Sequence, residues 1–223
     1  MSRCDANLHR MTFTTPSADN GPLLWERLIS PDGSGRNKQT MFPATPELHW
    51  RDGARWPRNA WPAPLGAWLL GEDSLTRSLR ARCAGEFRVS ILHEGWGSPS
   101  ASERQVLGMA PRSRAWVREV YLWCGAERWV YARTVLPGTT LTGRLRYLRR
   151  LGTRPLGEVI FADLSMRRGP VQVTRVASAA GVPEQPSRAA DATVWGRRSV
   201  FWLHRKPLLV CEFFLPTMIG ALE

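Results

Sequence analysis

Residues 115–136 read AWVREVYLWCGAERWVYARTVL, from Ala115 to Leu136. Two runs, Ala115–Cys124 and Trp129–Leu136, are rich in β-branched and aromatic residues. A short stretch, Gly125-Ala126-Glu127-Arg128, separates them, which predicts an antiparallel hairpin with a short loop. Period two places Arg118 on a face with Trp116, Val120 and Leu122. It places Arg133 with Trp129, Tyr131 and Val135. If Cys124 pairs with Trp129 across a four-residue loop, Val120 opposes Arg133 and Val135 opposes Arg118. Both guanidinium groups then emerge from one apolar face. Two such neighbours repel unless an anion lies between them, because Arg pairs bidentately with carboxylates. Either a ligand with two carboxylates or a carboxylate from the protein itself meets that requirement.

Outward from the hairpin, Phe87–His93 reads as a strand before it. Met166–Val176, Val194–Leu203 and Leu208–Leu215 read as strands after it. Leu65, Trp68 and Leu69 follow helical spacing, and Gly71 ends that helix. Asp73 or Ser74 caps a second helix carrying Leu75, Leu79 and Cys83. Leu141, Leu145 and Leu148 mark a third helix, which Gly152 can close. Pro155 lies near the first turn of a fourth, through Leu156, Ile160 and Phe161. Strands without βαβ alternation imply an antiparallel sheet with helices grouped on one side, an α+β fold. Glu94 to Arg112 is rich in Gly, Ser and Pro yet holds Trp96, Val106, Leu107 and Met109, as a covering flap does.

The folded domain is expected over 61–223. Residues 1–60 read as a weakly ordered extension, with Thr14-Thr15-Pro16-Ser17 and Pro31-Asp32-Gly33-Ser34-Gly35 as its markers. Within it, Leu23–Ile29 reads as a short amphipathic piece. Residues 51–64, rich in Trp and Pro, suggest a strip packed on the domain surface. A polar, Ala-rich loop spans 177–192.

With 43% hydrophobic and 22% charged residues among 223, the chain can bury a core, which excludes wholesale disorder. The net charge of +12 comes almost entirely from Arg; only Lys38 and Lys206 are Lys. The excess peaks over 112–155. No helix-turn-helix, zinc finger or RNA-binding signature accompanies it, so nucleic acid is not the expected partner. No apolar run approaches the roughly 18 residues of a membrane helix, and Met1 to Asn20 lacks the apolar central block expected of a secretory signal. Cys4, Cys83, Cys124 and Cys211 are scattered, as are the four His, so neither a disulfide framework nor a metal site is expected. A cytoplasmic protein with reduced cysteines is the expectation.

In the run from Pro207 to Pro216, Glu212 is the one polar side chain. It shares a face with Leu208, Val210 and Phe214, and its neighbours Cys211 and Phe213 are apolar too. A carboxylate there loses several kcal/mol of solvation unless paired or protonated, which marks a functional candidate. A core Arg as its partner is the plainer reading. Leu156 stands near a helix start, where free backbone N–H groups favour a carboxylate; it also reads simply as a core residue. A nucleophile elbow, P-loop and dinucleotide fingerprint are all missing. These features together suggest a small organic anion in an apolar cavity, either transformed without a cofactor or sensed.

From Trp68 onward the ordered motifs resemble the chorismate pyruvate-lyase family. The matching pieces are Glu72-Asp73-Ser74-Leu75-Thr76, Trp116-Val117-Arg118-Glu119 and Ala132-Arg133-Thr134-Val135-Leu136-Pro137. They continue through Leu151-Gly152-Thr153-Arg154-Pro155-Leu156-Gly157, Trp195-Gly196-Arg197-Arg198-Ser199 and Lys206-Pro207-Leu208-Leu209 to Glu212-Phe213-Phe214-Leu215-Pro216. The resemblance implies a six-stranded antiparallel sheet with helices on one side and a site closed by flaps. It implies that Arg118 pairs with the ring carboxylate of chorismate and the product 4-hydroxybenzoate. The backbone at Leu75 and Leu156 assists, Glu212 meets the 4-oxygen, and Arg133 suits the enolpyruvyl carboxylate. Arg118 and Glu212 are then the catalytic pair, in a monomer without metal or organic cofactor. Two alternatives stay open: a non-catalytic anion sensor of the same fold, and a related lyase yielding 3-hydroxybenzoate.

Overall fold

The computed structural model describes residues 48–57, 59–177 and 193–222. Among them, eight strands form one antiparallel sheet: β1 (Arg51–Asp52), β2 (Phe87–Gly97), β3 (Ala115–Cys124), β4 (Glu127–Pro137), β5 (Arg167–Arg168), β6 (Gln172–Ala177), β7 (Thr193–Leu203) and β8 (Lys206–Phe214). Their order is β1-β6-β7-β8-β4-β3-β2, with β5 paired on β7. The count is eight rather than six because β1 and β5, of two residues each, add short pairings to β6 and β7. The fold reaches back beyond Trp61. Arg51 pairs with Val173, and Trp56 and Trp61 both pack edge-on to Trp195. Most of the expected extension, and the loop over 178–192, lie outside the described residues.

The helices are α1 (Gly66–Leu70), α2 (Leu75–Arg82), α3 (Ala101–Val106), α4 (Leu156–Phe161) and α5 (Pro216–Gly220). The Leu141/Leu145/Leu148 segment forms a 3-10 helix, Gly143–Arg150, rather than an α-helix. One sheet face is covered by α1, α2, α4 and that 3-10 segment. Leu65, Leu69, Leu75 and Leu79 pack there with Val120, Leu122 and Phe214. Leu145, Leu148, Leu156 and Ile160 pack with Phe201, Leu208 and Val210. Each fully buried Leu or Ile contributes about 1.5–3 kcal/mol. The helices are not all on one side. α3 and Leu107 cover the opposite face, over Tyr121, Tyr131, Val135 and Phe213. A Ser100/Glu103 capping box starts α3. α3 with Leu107 and Met109 therefore seals the back of the sheet, while Glu94 and Trp96 stand beside Arg118 and Trp116 on the other face; no residue of 94–112 lines the pocket described below.

The hairpin forms, but one residue out of the expected register. Its loop is two residues, Gly125-Ala126, with Gly125 supplying the positive φ of the turn. Trp129 is then skipped as a bulge, and beyond it Arg133 pairs with Glu119 and Arg118 with Thr134. A slip of one residue sends a side chain to the other face. Arg118 and Arg133 consequently lie on opposite sides of the sheet, contrary to the shared face inferred from the sequence.

The cysteine expectation is also corrected. Cys83, just past α2, is disulfide-bonded to Cys124 across 41 residues of sequence. Pairing of Phe87 with Cys124 brings the two together, a proximity that spacing along the chain does not show. Replacing both by Ser is expected to cost about 3–4 kcal/mol, as loop-closure entropy predicts. Urea midpoints with and without reductant check this; equal midpoints for the oxidised protein and the double variant would show that the bond contributes nothing.

Candidate functional site

On the helix-covered face, strand register builds a row of side chains into a pocket. Arg118, Thr134 and Val210 align across β3, β4 and β8; Val120, Ala132, Glu212 and Arg197 form the next row, extending to β7. The roof is made by the first turns of two helices, Leu75 and Thr76 from α2 and Leu156 and Gly157 from α4. Neither helix has a side-chain cap, so backbone N–H groups of both first turns lack that partner. Gly157 permits the close approach of these turns. A Cβ there would lie 2.9 Å from the Thr76 hydroxyl and 3.4 Å from that of Ser74.

Arg118 is buried, and its Nη2 donates to the carbonyls of Gly152 (2.6 Å) and Arg154 (3.2 Å). Gly152 has φ 55°, and this left-handed residue turns the chain between the 3-10 segment and α4. Glu94 of β2 lies 3.4 Å from Nε of Arg118, yet both Nε and Glu94 Oε1 are buried without a hydrogen bond. Burial, opposed by the Glu94 charge, holds the Arg118 guanidinium below the usual arginine range. A buried cation whose Nε makes no hydrogen bond suits an incoming carboxylate.

Glu212 faces the same pocket but is not alone. Its Oε2 accepts from Arg197 Nε at 2.6 Å, while Arg197 Nη1 donates to the carbonyls of Trp68 (2.6 Å) and Gly71 (2.9 Å). Arg197 thus orients the carboxylate and ties it to the end of α1. The side chain of Glu212 keeps 17% exposure against 4% for Arg197, leaving the carboxylate accessible from the pocket.

The structure brings Arg118, Glu212, Leu75 and Leu156 to one hollow. It does not bring Arg133, whose guanidinium on the far face donates to Glu103 (Nε to Oε1, 2.7 Å; Nη2 to Oε2, 3.1 Å) and Glu119 (Nη1 to Oε1, 2.8 Å). Two charged pocket residues escaped the sequence reading, Arg168 and Arg197, as did Glu94, which stands behind Arg118. The alternation that singled out Arg118 applies equally to the Arg197-Arg198 pair inside an apolar strand. It sends Arg197 to the pocket and Arg198 to Gln172 and Ser102.

The chorismate lyase family matches residues 58–220. A probable chorismate pyruvate-lyase from Pseudomonas aeruginosa (strain UCBPP-PA14) is 46% identical over 151 residues, covering 68% of this chain and 83% of the relative. Another, from Methylococcus capsulatus (strain ATCC 33009 / NCIMB 11132 / Bath), is 39% identical over 160 residues, covering 71% and 99%. Among solved structures, the effector domain of PhnF from Mycobacterium smegmatis is 13% identical with a TM-score of 0.48. That likeness covers 66% of this chain and 91% of that one, and it is too distant to weigh. Among the described residues, no helix is long and apolar enough to cross a membrane.

Proposed function

The chain belongs to the chorismate lyase family, and on that premise we propose that it converts chorismate to 4-hydroxybenzoate and pyruvate, the step that opens ubiquinone biosynthesis. The observation that carries the reading is the placement of Arg118 and Glu212. They share one sheet face, two strands apart and one side-chain row apart. Two strand spacings of about 4.8 Å and a step of about 6.7 Å along the strand separate their backbones by roughly 12 Å. Side chains reaching inward from both ends leave room for the length of a para-substituted benzoate. The ring carboxylate sits against Arg118 and the free amides at the heads of α2 and α4. The 4-hydroxyl meets Glu212.

In the reaction the ether C–O bond at ring C3 breaks, and its electrons leave on the enolpyruvate oxygen. The C4 hydrogen departs as a proton and the ring becomes aromatic. Enolpyruvate takes up a proton and tautomerises to pyruvate. This balance needs no oxidant, reductant or cofactor, so the protein's contribution is orientation and charge placement in a water-poor pocket. Arg197, bonded to Oε2, keeps the Glu212 carboxyl group aimed at the 4-hydroxyl.

Purified protein incubated with chorismate is expected to release 4-hydroxybenzoate and pyruvate in equal amounts. Binding without conversion would identify a sensor, and 3-hydroxybenzoate would identify the related lyase. Glu212→Gln is expected to fold normally and to lose about 10²-fold in kcat, the low end of positioned acid–base catalysis. Unchanged turnover would reduce Glu212 to a structural partner of Arg197.

A further inference from the structure

With Arg133 on the far face, the enolpyruvyl carboxylate of the proposed substrate needs another cation. The pocket holds three arginines. Arg197 is paired with Glu212, and Arg118 has Glu94 beside it. Arg168 of β5 is the third. Its pairing with Phe201 of β7 puts it on the pocket face, with its guanidinium 5.3 Å above the Phe201 ring. Its hydrogen bonds go to neutral oxygens: Nη1 to the Gly71 carbonyl (2.8 Å) and Nε to the Ser199 hydroxyl (3.2 Å). No Asp or Glu among the described residues forms an ion pair with it. Glu212 and Glu72 act on it only at longer range, and Asp73 at the pocket rim is exposed. Burial, and then the neighbouring Arg197 charge, hold its guanidinium below the usual range. Arg168 is therefore a half-buried positive charge with no ion-pair partner among the described residues.

Its position is also suitable. Ser199, which Arg168 contacts, aligns with Val210, Thr134 and Arg118 across four adjacent strands. Three strand spacings, about 14 Å, separate the two ends of that row. The guanidinium groups approach the hollow from its two ends, which fits a ligand carrying two carboxylates.

We propose that Arg168 is the second carboxylate-binding residue of the pocket, holding the enolpyruvyl carboxylate while Arg118 holds the ring carboxylate. The assignment rests on the lyase reading above, and its test separates the two. Affinities are measured for 4-hydroxybenzoate, with one carboxylate, and for 3-(carboxymethoxy)-4-hydroxybenzoate, a stable analogue with two. Wild-type protein binds the dicarboxylate more tightly. Arg168→Gln loses that preference, weakening the dicarboxylate about 30-fold or more, as for truncation of a buried charge contact. Its 4-hydroxybenzoate affinity stays within about twofold, and kcat/KM for chorismate falls in parallel with dicarboxylate binding. Arg168→Lys keeps the charge without the planar fork and gives an intermediate ratio; it decides the matter if the Gln variant fails to fold. An unchanged ratio in the variant, equal weakening of both probes, or a wild type without preference would overturn the assignment. Wild-type protein that shows the preference yet leaves chorismate intact would sink the lyase reading and not the role of Arg168 as an anion site.

Discussion

Arg133→Met is expected to lower folding stability by about 3–5 kcal/mol, the cost of breaking a buried ion pair from one side. The guanidinium stands between Glu103 and Glu119, and Tyr131 donates to the same Glu119 oxygen at 2.6 Å. All four side chains are buried. Burial alone would lower the pKa of Arg133; the hydrogen bond and charge of Glu103, followed by Glu119, more than reverse this and keep it raised and charged. Removing the cation leaves two carboxylates facing each other without solvent. Glu103 also caps α3, so the helix on that face loosens too. Urea unfolding of the variant measures the loss, and Glu103→Gln with Glu119→Gln in the same background is expected to recover part of it. Affinity for 4-hydroxybenzoate should stay near wild type. A variant of normal stability that no longer binds the ligand would return Arg133 to the site and contradict the register.

Arg118→Ala is expected to weaken 4-hydroxybenzoate and chorismate alike, by about 2–4 kcal/mol, or about 30- to 1,000-fold. The group is desolvated, its Nε has no hydrogen bond, and its remaining contacts are two carbonyls and the Glu94 carboxylate at 3.4 Å. A ligand carboxylate is the partner that this arrangement lacks. Arg118→Lys should recover only part of the affinity, because a point charge replaces the planar fork. Calorimetry on both variants reads the effect. Wild-type affinity in Arg118→Ala would remove the residue from the site, and a loss confined to the dicarboxylate would exchange its role with that of Arg168. The uniform loss expected here contrasts with the selective loss expected at Arg168, so the two variants together map which end of the ligand meets which cation.

The disagreement over Arg133 has one local origin. The alternation of residues 115–136 announces two paired strands, but the pairing depends on a two-residue turn and on the skipped Trp129. Neither the tightness of the turn nor the bulge alters the period of either strand, so hydrophobic pattern alone cannot choose between registers. The buried Glu119 was the available signal. A carboxylate at the centre of an apolar strand asks for a cation, and Arg133 opposite it supplies one. The role of 94–112 differs from the expected flap for a similar reason. Its apolar residues do cover something, and the Ser100/Glu103 spacing marks a helix start, yet nothing local says which sheet face that helix seals.

Periodicity, turn residues and the placement of single charges in apolar runs were enough to establish an antiparallel α+β fold and to single out Arg118 and Glu212. These are short-range properties, set by the alternation of Cβ directions and by the cost of burying one charge. Long-range pairing decided the rest: which face each arginine occupies, the joining of Cys83 to Cys124, and the convergence of Arg168 and Arg197 from β5 and β7 on the same hollow. Such contacts join segments tens of residues apart, and their energy depends on neighbours that the sequence order does not make adjacent.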